Sequence, residues 1–303
     1  MTFSSTDFEQ RTEYERFVLD TAYPLIARAA TGAIIDATRR GRRDIGVAVG
    51  AIGLKAHVPS PGGGSKSAEF DIRPLIFGAA WKVLDLLIEG VIGHSTGKGM
   101  QVKNKLAMLA SAPSPAPFSG EPKLWERTVA IYSNTAEMRN CIVHRRFQVD
   151  KPAEVMRGSA KKVGDSPPRP VSFDEQAAFC RIVQGVASSV IAQELTAREC
   201  RQLQYMFDVL RGHHGLGALG GSLVEGPIPT VKASLDQFDS GAFYLDGPHI
   251  HQQAHEGASD VAAFDLMVVL ADGRSLLGDL AALPADDVTP IDLDDPPAWL
   301  RWQ

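Results

Sequence analysis

The sequence predicts a mainly helical protein, with a helical extension leading into a four-helix bundle and a small α+β domain closing the chain. Three observations carry that expectation. Apolar residues recur at helical spacing through most of the chain ahead of Leu216, two capping boxes open successive helices before that point, and beyond it Gly and Pro rise while β-prone runs appear. At 303 residues and 44% hydrophobic content, the chain can bury a sizeable core. The expected segments are 1–65 for the extension and its linker, 66–215 for the bundle and 216–303 for the α+β domain.

Taken in order, residues 7–40 read as helix, with Phe8, Phe17, Val18, Tyr23, Leu25 and Ile26 available for burial, a bend at Pro24 and an exit at Arg39, Arg40, Arg42 and Arg43. Residues 58–67 (VPSPGGGSKS) read as a flexible connection. Leu75 to Ile92 repeats apolar residues at helical spacing until Gly90, Gly93, Gly97 and Gly99 break it, and a short helix follows from Val102 to Leu109. The four prolines of SAPSPAPFSGEP then exclude regular structure. A helix from Lys123 to about Phe147 is followed by a basic loop. Ser172 with Glu175, and Thr196 with Glu199, are capping boxes for helices reaching Leu195 and Gly212. Phe264–Leu270 and Ser275–Leu277 read as strands joined by a turn at Asp272-Gly273.

A net charge of -5 excludes a globally basic nucleic-acid binder. The acidity is local, because six aspartates from Asp279 onward face only Arg301. Between Ala136 and Lys162 the balance reverses: Arg139, Arg145, Arg146, Lys151, Arg157, Lys161 and Lys162 face Glu137, Asp150 and Glu154, a surplus that either attracts phosphates or simply solvates a face. Cys141, Cys180 and Cys200 are odd in number, lack CxxC spacing and sit in apolar helical contexts, so they read as reduced core residues. The polar, acidic start is not a signal peptide, and no apolar run near it approaches the ~20 residues of a membrane span. The expected compartment is the cytoplasm.

On a wheel of about 100° per residue, Trp125, Val129, Ile131, Tyr132, Ala136, Met138, Ile142, Val143 and Phe147 form one broad apolar stripe. Arg139 falls near its middle, with Asn140 at the edge and His144 just beyond. A guanidinium centred on an apolar face is costly unless paired or used. The run Arg139-Asn140-Cys141-Ile142-Val143-His144 resembles the RNxxxH form of the R-x(4-6)-H motif of HEPN ribonucleases. The bare spacing is common by chance. Its context is more specific: Asn directly follows Arg, apolar residues fill the gap, and the motif lies late on a long helix opening with Leu124-Trp125. The preceding helices, AAWKVLDLLIEGV and the one holding Val102-Lys103-Asn104-Lys105-Leu106, extend the resemblance to about residues 70–212, a HEPN-like four-helix bundle.

The resemblance implies a homodimer in which two such motifs meet across a cleft, cleaving RNA without a metal or other cofactor. Arg139 is then the phosphate-binding fork, His144 the proton-transfer group of the side-chain type that titrates nearest neutrality, and Asn140 the residue that holds the imidazole or contacts RNA. Arg145 and Arg146 are the adjacent substrate-binding cations. Cleavage by 2′-OH attack leaves a 2′,3′-cyclic phosphate and a 5′-hydroxyl. Effectors of this kind belong to toxin and antiviral systems, with a regulatory protein partner as a further implication. The tyrosine that some HEPN toxins carry two residues after the histidine is absent, since Arg146 and Phe147 follow instead.

Blander and competing readings stay open. Arg139 could pair with Glu137, and His144 could be a helix-end residue favoured by the macrodipole. A HEPN domain can also bind or scaffold without turnover. Gly93-His94-Ser95-Thr96-Gly97-Lys98 is similar to a phosphate loop, but its spacing fails and Gly99 stands where Ser or Thr is needed. His249, His251, His255 and Glu256 form an HxHxxxHE set, a metal centre if alternate strand positions share a face. His213-His214 read as helix-end chemistry.

Overall fold

The computed structural model describes residues 3–26, 34–38, 53–59, 65–94, 100–162, 164–219, 228–238, 240–257, 264–270 and 274–302. In chain order its elements begin with α1 (Ser5–Ile26), β1 (Ile34–Asp36), β2 (Gly53–Pro59), β3 (Ser65–Asp71), α2 (Arg73–Val91), α3 (Val102–Leu109) and α4 (Pro122–Val143). Next come β4 (Phe147–Asp150), β5 (Val155–Gly158), β6 (Val171–Ser172), α5 (Phe173–Ala192), α6 (Ala197–Val209) and α7 (Arg211–His214). The remainder comprises β7 (Thr230–Ser234), β8 (Asp236–Gln237), β9 (Phe243–Asp246), α8 (Gly247–Gly257), β10 (Asp265–Val269), β11 (Ser275–Asp279), β12 (Val288–Ile291) and β13 (Leu300–Trp302). No helix among the described residues is long and apolar enough to cross a membrane.

The chain divides into two units rather than three segments: residues 1–26 with 49–225, and residues 27–48 with 226–303. The expected extension is therefore split. Its helix, described as far as Ile26, packs on α2 and α5 as a member of the first unit. Phe8, Leu19, Tyr23 and Ile26 are buried there, whereas Phe17 is exposed. Residues 34–36, expected as helix, instead pair in parallel with Thr230–Lys232, a partner too distant in sequence for local periodicity to reveal. The expected exit at Arg39, Arg40, Arg42 and Arg43 lies outside the described residues.

In the first unit helices carry the core and small sheets decorate it, so this is a mixed arrangement rather than a pure bundle. Phe77 of α2 stacks on Phe179 of α5 at 4.7 Å, and Trp81 of α2 on Tyr132 of α4 at 4.9 Å. Both capping boxes form: Ser172 accepts from the Glu175 N–H at 3.1 Å and Thr196 from the Glu199 N–H at 3.2 Å, while each glutamate reaches back to its cap. Residues 58–67 differ from expectation at their ends, since Val58–Pro59 and Ser65–Ser67 are strand residues in the pairing of β2 with β3 from Gly53↔Asp71 to Pro59↔Ser65, while residues 60–64 lie outside the described residues. The basic loop after α4 is likewise a sheet, in order β4-β5-β6.

The second unit holds a five-stranded sheet of order β1-β7-β10-β11-β13 and a three-stranded sheet of order β12-β9-β8. β10 and β11 form the expected hairpin, although Asp272-Gly273 lies outside the described residues. Ile250 and Ala254 bury one face of α8 among Val231, Leu266, Val268 and Leu276. At its first residue Gly247, a Cβ would collide with the Pro284 carbonyl oxygen, so only glycine fits.

Candidate nucleic-acid interface at the end of α4

Pro122 sits in the first turn of α4, where its missing N–H is harmless, and the helix runs to Val143 with His144 as C-cap. Phe147, expected as its last apolar residue, begins β4 instead. The exit is a Schellman motif, since the Arg146 N–H donates to the Cys141 carbonyl at 2.7 Å and the Arg145 N–H to Ile142 at 3.1 Å. Arg145 takes the left-handed position at φ +53°, where glycine is normally found. Arg145→Gly is therefore expected to raise stability by about 0.5–1 kcal/mol in thermal unfolding. An unchanged or lower midpoint would show that the arginine is held there by folding rather than by use.

Arg139 is half-buried, and its guanidinium carbon lies 4.9 Å from the centre of the Trp81 ring. Its Nη1 donates to Asn140 Oδ1 at 3.2 Å. The pairing with Glu137 does not form; the cation on the apolar stripe is accommodated by the indole face. Among the described residues it makes no ion pair. His144 is exposed, as are Val143, expected in the stripe, and Arg145. Arg146 is half-buried and donates to the Ser159 carbonyl at 3.0 Å. On helical geometry, Arg139 and His144 stand about 140° apart around the axis, so only the arginine's length lets both reach one phosphate.

Beneath Arg139 lies a polar network that sequence reasoning missed. Lys105 of α3, 3% exposed at its side chain, donates to Asp85 and, at 2.8 Å, to Glu89, both on α2. The Tyr132 hydroxyl donates to the same Asp85 oxygen at 2.7 Å, and Arg11 of α1 donates to Glu89 at 2.9 Å. Burial, with the Asp85 carboxylate beside it, pushes the Tyr132 hydroxyl well above the ordinary tyrosine range, so it remains a donor. The available signal was the spacing of Trp81, Asp85 and Glu89, which places two carboxylates on an otherwise apolar helix face.

A second polar knot ties α7 to the start of α5. His213 Nε2 lies 3.3 Å from Glu175, and the Asn134 side chain donates to the His213 carbonyl at 2.8 Å. His214 accepts the Leu216 N–H on Nδ1 at 3.0 Å and donates from Nε2 to the Phe207 carbonyl at 2.8 Å, which fixes the neutral tautomer. Burial holds its pKa below the usual 6.5. Burial pushes Glu89 and Glu175 upward, but hydrogen bonds from Lys105 and Arg11, and from His213 and the Ser172 N–H, outweigh it and leave both below 4.5. A depressed pKa makes the unfolded chain bind more protons, so each of these groups loses its stabilisation as pH falls. Asp20, raised chiefly by burial, acts in the opposite sense. Stability measured by urea unfolding is accordingly expected to decline from about pH 6.5 and more steeply below about pH 4.5. A flat profile down to about pH 3 would contradict these assignments.

The histidine set of the second unit does not form a metal centre in the structure. His249, His251 and His255 lie on α8 rather than on a strand, so alternate positions do not share a face. His249 Nε2 meets the Ala37 carbonyl at 3.1 Å, His251 Nε2 the Leu283 carbonyl at 2.9 Å, and His255 stands edge-on to Phe264. Among the described residues no group of three His, Cys, Asp or Glu side chains could hold a metal ion. Of the GHSTGK run, Gly93 and His94 close the end of α2 through bonds to Gly90 and Glu89, and the rest lies outside the described residues. Cys141 and Cys180 are buried, Cys200 is half-buried, and all three are free thiols. No family model, curated protein or solved structure matches the chain.

Proposed function

We propose that the protein is a HEPN-type endoribonuclease whose reacting groups are Arg139 and His144, acting as a homodimer that brings two such pairs together. One observation carries the reading: a half-buried guanidinium, seated by Trp81 and Asn140 without a carboxylate partner, lies on the helix whose exposed end carries His144 and Arg145. A cation so placed keeps its charge for a phosphate, because the two groups that position it neutralise nothing. His144 carries a proton between the ribose 2′-OH and the leaving 5′-oxygen. Asn140 is a positioning residue, since it holds Arg139. Toxin or antiviral defence is the setting this chemistry suits, and a regulatory partner would keep the activity in check.

The alternative reading, a non-catalytic HEPN binding or dimerisation module, is favoured by the stacking of Arg139 on Trp81, which gives that side chain a structural role. The deciding experiment incubates purified protein with RNA in EDTA and examines the product ends. The ribonuclease reading expects 2′,3′-cyclic phosphates, lost in Arg139→Ala and His144→Ala. RNA binding without cleavage identifies the binding module, and undiminished cleavage by both variants refutes the assigned site.

A further inference from the structure

We propose that the β4-β5-β6 sheet and the loop between β5 and β6 form a rail for the sugar-phosphate backbone of RNA, read without regard to base sequence. The inference rests on the ribonuclease reading, whose site lies at the α4 end of this sheet. The Schellman exit of α4 delivers the chain directly into β4, and β4 pairs with β5 from Phe147↔Gly158 to Asp150↔Val155. Their turn is fixed by the Asp150 carboxylate, which accepts the Ala153 N–H at 3.1 Å, and by Glu154 in the left-handed region. Two bonds anchor the far side, from the Arg146 guanidinium to Ser159 O and from the Ser159 N–H to Arg146 O at 2.8 Å. The scaffold is therefore held by its own backbone.

Six cations stand exposed along it: Arg145, Lys151, Arg157, Lys161, Lys162 and Arg169. Cations outnumber the acidic groups beside them, and two of the six are ion-paired. Arg157 lies 3.8 Å from Asp150 and Arg169 3.9 Å from Glu175, while Glu154 and Asp165 are exposed. Arg145, Lys161 and Lys162 make no ion pair among the described residues. At Arg145 the backbone conformation asks for glycine, yet the chain places a cation there.

Such a surface attracts a polyanion. Its chemistry also says how the polyanion is read. Beyond His144, which the test below removes, no aromatic side chain up to residue 170 is exposed, since Phe147 is half-buried, so the sheet and its loop offer no platform on which bases could stack. What remains are phosphate contacts, which position a strand and carry no sequence information.

The test uses the full chain carrying His144→Ala, so that bound RNA stays intact, and fluorescence anisotropy with labelled oligo(A) and oligo(U) of equal length. The parent is expected to bind both within about threefold of one another, with affinity falling as salt rises. Adding R157E/K161E/K162E is expected to weaken binding by about tenfold or more and to lower the slope of log affinity against log salt by about 2, at roughly 0.7 per lost phosphate contact. The neutral R157Q/K161Q/K162Q protein should lose affinity in the same direction by a smaller factor, which separates charge from misfolding. Parent-like binding by both triple variants, a preference above about tenfold between the two oligonucleotides, or no binding by the parent at low salt overturns the rail. Cleavage is scored separately with His144 present. If His144→Ala alone abolishes cleavage while the triple variants bind as the parent does, the rail fails and the ribonuclease reading stands. Charge-dependent binding by a protein that never cleaves has the opposite meaning: the rail holds and the ribonuclease reading fails.

Discussion

Lys105→Met is expected to cost about 3–5 kcal/mol of folding free energy, the largest effect of any single substitution considered for this chain. Methionine matches the aliphatic length of lysine, so the loss comes from electrostatics rather than from a cavity. The ammonium lies between Asp85 and Glu89 with 3% of its side chain exposed, and Tyr132 already donates to the Asp85 oxygen that it shares. Without it, Asp85 keeps the Tyr132 hydroxyl and a distant Lys82 at 3.8 Å, and Glu89 keeps Arg11. A buried carboxylate and a half-buried one then share too little positive charge, and uncompensated burial is what makes breaking such a pair expensive. Since domains are stable by only about 5–15 kcal/mol, a large part of the total is at stake. Urea denaturation followed by circular dichroism measures it. The double variant Asp85→Asn with Lys105→Met should recover part of the loss, and a cost below about 1 kcal/mol for Lys105→Met alone would mean that water reaches the network.

His144→Ala is expected to reduce RNA cleavage by about 10²- to 10⁴-fold, the range that removal of a positioned proton-transfer group produces. Stability should change by no more than about 0.5 kcal/mol, because the side chain is exposed and makes no hydrogen bond among the described residues. This separation makes the histidine the cleaner test. Arg139→Ala should lose activity as well, but it also strips the face of Trp81 and so lowers stability. Arg139→Lys keeps the charge without the planar fork and is expected to fall between the two. Initial rates on one labelled RNA, with urea midpoints measured beside them, give both quantities. Full activity in His144→Ala would end the ribonuclease proposal whatever the arginine variants do.

Helix signals were legible because they are local. The capping boxes at Ser172 and Thr196 and the apolar repeats of α2 and α3 need only neighbours within a turn or two, and the structure has those helices close to where the sequence predicts them. Apart from the β10-β11 pair, strands were poorly legible. Local pattern alone makes residues 34–36 helix and residues 147–158 helix end plus loop, because the partner that makes each a strand lies elsewhere: Thr230–Lys232 for the first, and for the second a hairpin whose turn is Asp150 to Glu154. The same division holds at the site. Arg139, Asn140 and His144 could be named from one short run, but not that an indole seats the arginine.

What the amino-acid sequence determines unaided is therefore the run of helices, their caps, the reduced cysteines and the basic character of the segment after α4. The tertiary structure decides which apolar faces meet, that residues 34–36 join the second unit, that His249 and His251 each direct Nε2 at a backbone carbonyl, and that Lys105 is buried against two carboxylates. The reason is one of range. Caps and helical periodicity act over a few residues, whereas strand pairing and the burial of charge depend on groups the chain brings together only by folding.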